Sequence, residues 1–241
     1  MMATEADSLS TRMQMTPTAG RAKLASLRPQ IGSKLDLARA RGLDAGVGEP
    51  SRFPGHPELP AIYVGSGAHA ADLKLLQRLG IRAVLNCAPV VCDDPIAAYK
   101  AGDVLYEKID AHDDRNFPLL AECLKPASDF ISKAHAEKRS VLVHCMAGVN
   151  RSATLAVAYL LVRDRTNLFA LFEQCVASRP SILQNTSFQL QLCALAQRHG
   201  LLFEPGPAEA VATFVAPAKV EVVPEAPADG GHESGEFTTG C

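Results

Sequence analysis

Val141-Leu142-Val143-His144-Cys145-Met146-Ala147-Gly148-Val149-Asn150-Arg151-Ser152 is the stretch on which the reading of the whole chain turns. Its leading apolar residues read as the end of a buried strand. Gly148 permits a tight loop, and from Ser152 a strongly apolar helix is predicted (Ala153, Leu155, Ala156, Val157, Tyr159, Leu160, Leu161). A strand–loop–helix junction of this kind turns successive backbone N–H groups, and the positive end of the helix, into one concavity. Cys145 and Arg151 face each other across it. The outcome is an oxyanion cradle with a thiol at its base.

Outward from this junction the pattern alternates. Strands are expected at Ala61–Val64, Ile81–Asn86 and Val104–Ile109, with a Gly65-Ser66-Gly67 turn after the first. Helices are expected at Ala70–Leu79 (closed by Gly80), weakly at Ile96–Lys100, and at Leu119–Ala136, Leu168–Ala177 and Ser187–His199. Alternating strands and helices predict an α/β fold, a central mixed but mostly parallel sheet flanked by helices. Ligands of such sheets bind at the carboxyl ends of the strands. Cys145 sits at one such end, and the acidic run Asp110-Ala111-His112-Asp113-Asp114 follows another.

The domain reading has three parts. Residues 1–58 form an N-terminal extension, polar and disordered over 1–20, basic and helical in pieces from Arg21 to Leu43, and Gly/Pro-rich as a linker from Gly46 to Pro60. Residues 59–200 are expected to form the folded domain that carries the cradle, and residues 201–241 a disordered tail rich in Pro, Ala, Glu and Gly. Two readings of Arg21–Arg41 stay open: a docking segment for an acidic groove on a protein kinase, or a solvated helix packed on the domain.

Composition narrows the class. A net charge of −2 gives no support for a nucleic-acid or membrane-surface partner. No apolar run reaches the roughly 18 residues of a spanning helix. Neither a secretory core nor a lipidation signal is expected at the ends. Seven scattered cysteines, an odd number with no CxxC pair, argue against both a secreted disulfide framework and a structural zinc site. The expected location is the cytoplasm, or the nucleus.

The cradle dictates a chemistry. Helix dipole, loop N–H groups and the Arg151 guanidinium favour the Cys145 thiolate, and such surroundings move a thiol pKa from about 8.5 to roughly 4–7. Arg151 adds a planar fork that holds two phosphate oxygens at once. The backbone of Met146, Ala147, Gly148, Val149, Asn150 and Arg151 is the expected phosphate-binding surface. Ser152 is placed to donate a hydrogen bond to the sulfur, and His144 to order the loop rather than act as a base. A nucleophile beneath a tetrahedral oxyanion means attack on phosphorus through a cysteinyl-phosphate intermediate, with no metal or cofactor. The competing interpretation is an inert buried cysteine. Against it, H-C-x2-G-x2-R-[ST] matches a chain of this size by chance roughly 1 time in 30,000.

The loop resembles the H-C-x5-R-[ST] active-site loop of the cysteine-dependent protein tyrosine phosphatase superfamily. Ile62–Ser66, Gly80–Ala88, Ile109–Asp113 and Arg179–Leu192 are similar to its dual-specificity branch, and the resemblance covers about residues 59–199. It implies a protein tyrosine phosphatase-like fold and a signalling hydrolase that dephosphorylates phosphotyrosine and phosphoserine or phosphothreonine in phosphoproteins. It also implies a general-acid aspartate about thirty residues before the cysteine. The family's spacing from Ile109 picks Asp113, with Asp114 the runner-up and Asp110 assigned to the strand end. The missing Trp argues against the large tyrosine-specific enzymes, and the mid-chain cysteine against the low-molecular-weight ones. The uncharged Met146, Ala147, Val149 and Asn150 argue against multiply phosphorylated inositol lipids.

Two departures from the family pattern stand out: Asn150 replaces a common serine, and Gln184 a common proline. Asn185 is either a brace for the loop, as in the family, or an ordinary helix-start residue. A non-protein phosphate substrate and a slow-turnover phosphoprotein-binding module are the alternative functions. Cys87 is read either as a partner for a protective disulfide with Cys145 under oxidation or as an ordinary buried cysteine.

Overall fold

The computed structural model describes residues 15–27 and 48–203. A five-stranded sheet carries the site, in the spatial order β1 (Ser51–Arg52), β2 (Ile62–Ser66), β5 (Ser140–Cys145), β3 (Ile81–Asn86) and β4 (Leu105–Lys108). β1 runs antiparallel to β2, and the other pairs are parallel. The expected mixed, mostly parallel sheet is therefore present. β5 is central, and everything in it after Ser140 is buried. That is why Val141-Leu142-Val143 reads as an unbroken apolar run rather than an alternation.

Seven helices lie between Gly67 and Arg198: α1 (Gly67–Ala71), α2 (Leu73–Arg78), α3 (Ile96–Ala101), α4 (Leu119–Ala136), α5 (Arg151–Asp164), α6 (Leu168–Ser178) and α7 (Thr186–Arg198). In addition, residues 17–27 are helical. α5 is buried at every position from Ser152 to Leu161 and packs on α4, α6, α7, β2 and β5. A helix apolar on all sides can only be central. Its first turn therefore has nowhere to go but directly after the buried strand, which sets the loop between them.

The structure corrects the sequence reading in three places. The single helix expected at Ala70–Leu79 is two, because the Asp72 carboxylate accepts from the Leu75 N–H and starts a new helix there. The expected linker at Gly46–Pro60 contains β1, and Phe53 is buried after it, its N–H donating to the Ile62 carbonyl at 2.9 Å. An edge strand of two residues exists only through its pairing and has no pattern of its own to read. Finally, the folded unit begins before Leu59 and includes residues of the expected disordered start. Met15 donates its N–H to the Leu202 carbonyl at 3.0 Å and Gly20 lies against Leu202 and Cys193, while Leu24, in the part of the chain expected to be helical, is fully buried. Leu201, Leu202 and Phe203, read as the beginning of the tail, are buried as well. The rest of the basic segment, residues 28–47, and the tail after residue 203 lie outside the described residues, as do residues 1–14.

Candidate active site

The loop from Cys145 to Arg151 is held by its carbonyls. The Met146 oxygen accepts from the Gly67 N–H (3.2 Å), the Val149 oxygen from the Leu183 N–H (2.8 Å) and the Asn150 oxygen from the Thr154 N–H (2.8 Å). Between them, Arg179 donates Nε to the Gly148 oxygen (2.7 Å) and Nη2 to the Ala147 oxygen (3.0 Å). Five successive carbonyls are thus committed to the surrounding scaffold. In a trans peptide the next residue's N–H points the opposite way, so the N–H groups of residues 147–151 face the concavity. Gly148 has φ +68°, and a Cβ there would collide with the Gly65 carbonyl. Only glycine allows the loop to lie this close to β2.

Cys145 is buried at the base, and Ser152 Oγ stands 3.3 Å from its sulfur. Burial pushes the thiol pKa up. The Ser152 hydroxyl and N–H, the Arg151 guanidinium and the Gly148 N–H more than offset this, leaving it below the ordinary thiol value. The other described cysteines are free and shifted the opposite way by burial, Cys123 to about 11 and Cys193 to about 12. Cys87, fully buried after β3, is also raised, which disfavours the thiolate that disulfide formation needs.

A pH prediction follows from these opposite signs. A lowered pKa keeps a larger thiolate fraction as pH falls, so iodoacetamide labelling of Cys145 should decline less steeply from pH 8 to pH 6.5 than that of an ordinary thiol. Partly exposed Cys92, whose thiol burial and Asp94 raise, should lose about tenfold in labelling rate per pH unit. Peptide mass mapping reads both sites, and parallel decline of the two overturns the thiolate assignment.

Across the concavity lies the acidic segment. The Asp113 carboxylate accepts from Asn150 Nδ2, at 3.0 Å to Oδ2 and 3.3 Å to Oδ1, and from Asn185 Nδ2 at 3.0 Å to Oδ1. Asp114 instead accepts the Asn116 N–H at 2.7 Å, closing its own turn, and exposed Asp110 is 3.9 Å from His112. Of the three candidates, Asp113 is the one bonded to the cysteine loop. Arg151 donates Nη1 to the Ala111 carbonyl (3.1 Å) at the root of the same segment, while its Nε is buried without a partner. Asn185 Oδ1 caps α7 by accepting from the Ser187 and Phe188 N–H groups, while its Nδ2 bonds Asp113 rather than the cysteine loop, which it touches only through its backbone N–H, donated to Asn150 Oδ1 at 3.0 Å.

The family model "Dual specificity phosphatase, catalytic domain" matches residues 62–198, more than half of the chain. The chain belongs to this family. It is 36% identical over 134 residues to human dual specificity protein phosphatase 9, covering 56% of this chain and 34% of that protein. With bovine dual specificity protein phosphatase 26 it shares 35% identity over 140 residues, 58% of this chain and 65% of that one. The chain thus spans less than two thirds of either relative. Among solved structures, human DUSP28 superposes with a TM-score of 0.51 at 26% identity, covering 61% of this chain and 97% of that chain.

Two residues of this phosphatase-family site escaped the sequence reading as individuals. Arg179 lies inside a stretch similar to the family pattern, yet nothing local announces that its guanidinium will reach the Ala147 and Gly148 carbonyls. Asp94 sits in the loop after β3 with its side chain buried. Its Oδ2 accepts from Asn86 Nδ2 at 2.7 Å and lies 3.2 Å from His144 Nε2. Burial raises the Asp94 pKa, but His144 and Asn86 outweigh it and hold the carboxyl below its ordinary value. His144 is thereby fixed from behind, directly next to the nucleophile. The only local signal was an Asp-Asp-Pro loop, which reads first as a turn.

Proposed function

We propose that this protein hydrolyses phosphotyrosine and phosphoserine or phosphothreonine in phosphoproteins through a cysteinyl-phosphate intermediate. The observation that carries the proposal is the ring of inward N–H groups with a lowered-pKa thiol at its base. In the first step the Cys145 sulfur attacks phosphorus, and the S–P bond forms as the P–O bond to the substrate breaks. The Asp113 carboxyl passes its proton to the departing oxygen. Arg151 spans two equatorial oxygens as negative charge spreads over them. In the second step water attacks phosphorus and gives its proton to the Asp113 carboxylate. The S–P electron pair returns to the sulfur, which the Ser152 hydroxyl steadies, and inorganic phosphate leaves.

The uncharged loop side chains Met146, Ala147, Val149 and Asn150 support a singly phosphorylated ligand over an inositol lipid. The test is hydrolysis of phosphotyrosyl and phosphothreonyl peptides by the wild type, Asp113→Ala and Asp114→Ala. The expected loss in Asp113→Ala is about 10²–10⁴-fold, with Asp114→Ala within a few-fold of wild type. Collapse in Asp114→Ala alone moves the acid by one residue. Peptide binding without turnover favours a binding module, and turnover of lipid or RNA phosphates only refutes the protein substrate.

A further inference from the structure

We infer that Asn150 is a positioning residue that holds the general acid at the leaving group, and that the ratio of phosphothreonine to phosphotyrosine turnover depends on it. The inference rests on the phosphatase reading above. Asn150 occupies the N-cap position of α5, where an asparagine side chain ordinarily accepts from its own helix. Here it makes no such bond. Its Oδ1 instead accepts the backbone N–H groups of Gln184 (2.8 Å) and Asn185 (3.0 Å).

Two backbone donors on one oxygen leave no ambiguity about which end of the amide is which. Nδ2 must therefore face the other way, where it donates to both oxygens of Asp113. One side chain thus ties together the cysteine loop, the acid segment and the start of α7. A serine at this position is too short to reach both sides, and a proline at 184 has no N–H to give. The two departures from the family pattern, Asn150 and Gln184, meet in a single hydrogen bond.

The acid segment needs such a bracket. Residues 112–116 are all exposed, and their anchor on the core side is buried Ala111. Without Asn150 the carboxyl group keeps one amide partner, Asn185, and samples a wider volume. A proton donor about 1 Å out of place can cost on the order of 100-fold in rate. That cost depends on the leaving group. A nitrophenolate departs without help, a tyrosine phenolate with pKa about 10 needs some, and a threonine alkoxide, far more basic, needs the proton most. Asn150 therefore acts on the phosphothreonine reaction above all.

The experiment compares Asn150→Ser and Asn150→Asp with wild type, each alone and combined with Asp113→Ala. Asn150→Asp keeps an acceptor for the Gln184 and Asn185 N–H groups but sets a carboxylate against Asp113, so it isolates the donating arm. Substrates are nitrophenyl phosphate and one peptide sequence carrying either phosphotyrosine or phosphothreonine. Both variants should lose roughly tenfold or more in kcat/KM on the phosphothreonyl peptide relative to nitrophenyl phosphate. In the Asp113→Ala background that extra loss should vanish, because a residue acting through Asp113 has nothing left to act on. An equal fall on all three substrates, or an extra loss that survives Asp113→Ala, overturns the inference. If the wild type hydrolyses none of the three, the phosphatase reading itself has failed and the inference falls with it.

Discussion

Cys145→Ser should abolish turnover, by about 10⁵-fold or more in kcat/KM. The loop amides, Arg151 and the Ser152 hydroxyl hold the Cys145 thiol below its ordinary pKa in spite of its burial. The same set acting on a serine hydroxyl starts from an intrinsic pKa many units higher and leaves essentially no alkoxide. The fold should be untouched, since sulfur and oxygen differ little in volume and the carbonyl anchors of the loop do not involve this side chain. Phosphate binding should persist, so the variant should retain phosphopeptide while the wild type releases product. Quenching wild-type enzyme during turnover and mapping its peptides by mass should find phosphate on Cys145 and nowhere else. Activity within 100-fold of wild type in Cys145→Ser, or phosphate trapped elsewhere, refutes the proposed nucleophile.

The next largest effect is expected from Arg151→Lys, a loss of about 10³-fold. The charge survives this change, so the prediction isolates geometry. An ammonium is a point donor and cannot span two equatorial oxygens in a plane. It also cannot make the Arg151 contact with the Ala111 carbonyl while keeping a nitrogen for the ligand. In the arginine that division of labour is visible: Nη1 is spent on Ala111, and Nε is buried with no partner. A loss concentrated in kcat, with inorganic phosphate binding weakened much less, is the expected signature of contacts that strengthen in the transition state. A lysine variant within tenfold of wild type shows that charge alone suffices and that the fork has no role.

Most of the machinery in these predictions was legible in one stretch of sequence. Val141–Ser152 holds strand end, loop glycine, thiol, guanidinium and helix start in unbroken order. Each part acts on neighbours within seven residues, so linear spacing decided their relation. β3, α4 and α5 were found close to their observed limits for a similar reason, since periodicity and composition are local properties. The general-acid candidate was reachable too, since the offset from Ile109 that the family resemblance supplies picks Asp113, and the side-chain bonds join that residue, not Asp114, to the cysteine loop.

Other parts depend on pairs far apart in the chain. Leu24 in the core, the two-residue strand β1, Arg179 on the loop carbonyls, Asp94 behind His144, and the meeting of Asn150 with Gln184 and Asp113 all join segments with no shared local signal. A buried polar group must find a partner, but which partner it finds is set by how the elements pack. The sequence by itself determined the order of strand end, thiol, loop glycine, guanidinium and helix start, because these parts lie within a few residues of one another and local pattern fixes their relation. Only the tertiary structure decided how that loop is held and which carboxylate bonds it, because the Gly67 and Leu183 N–H groups, the Arg179 guanidinium and Asp113 come from other parts of the chain.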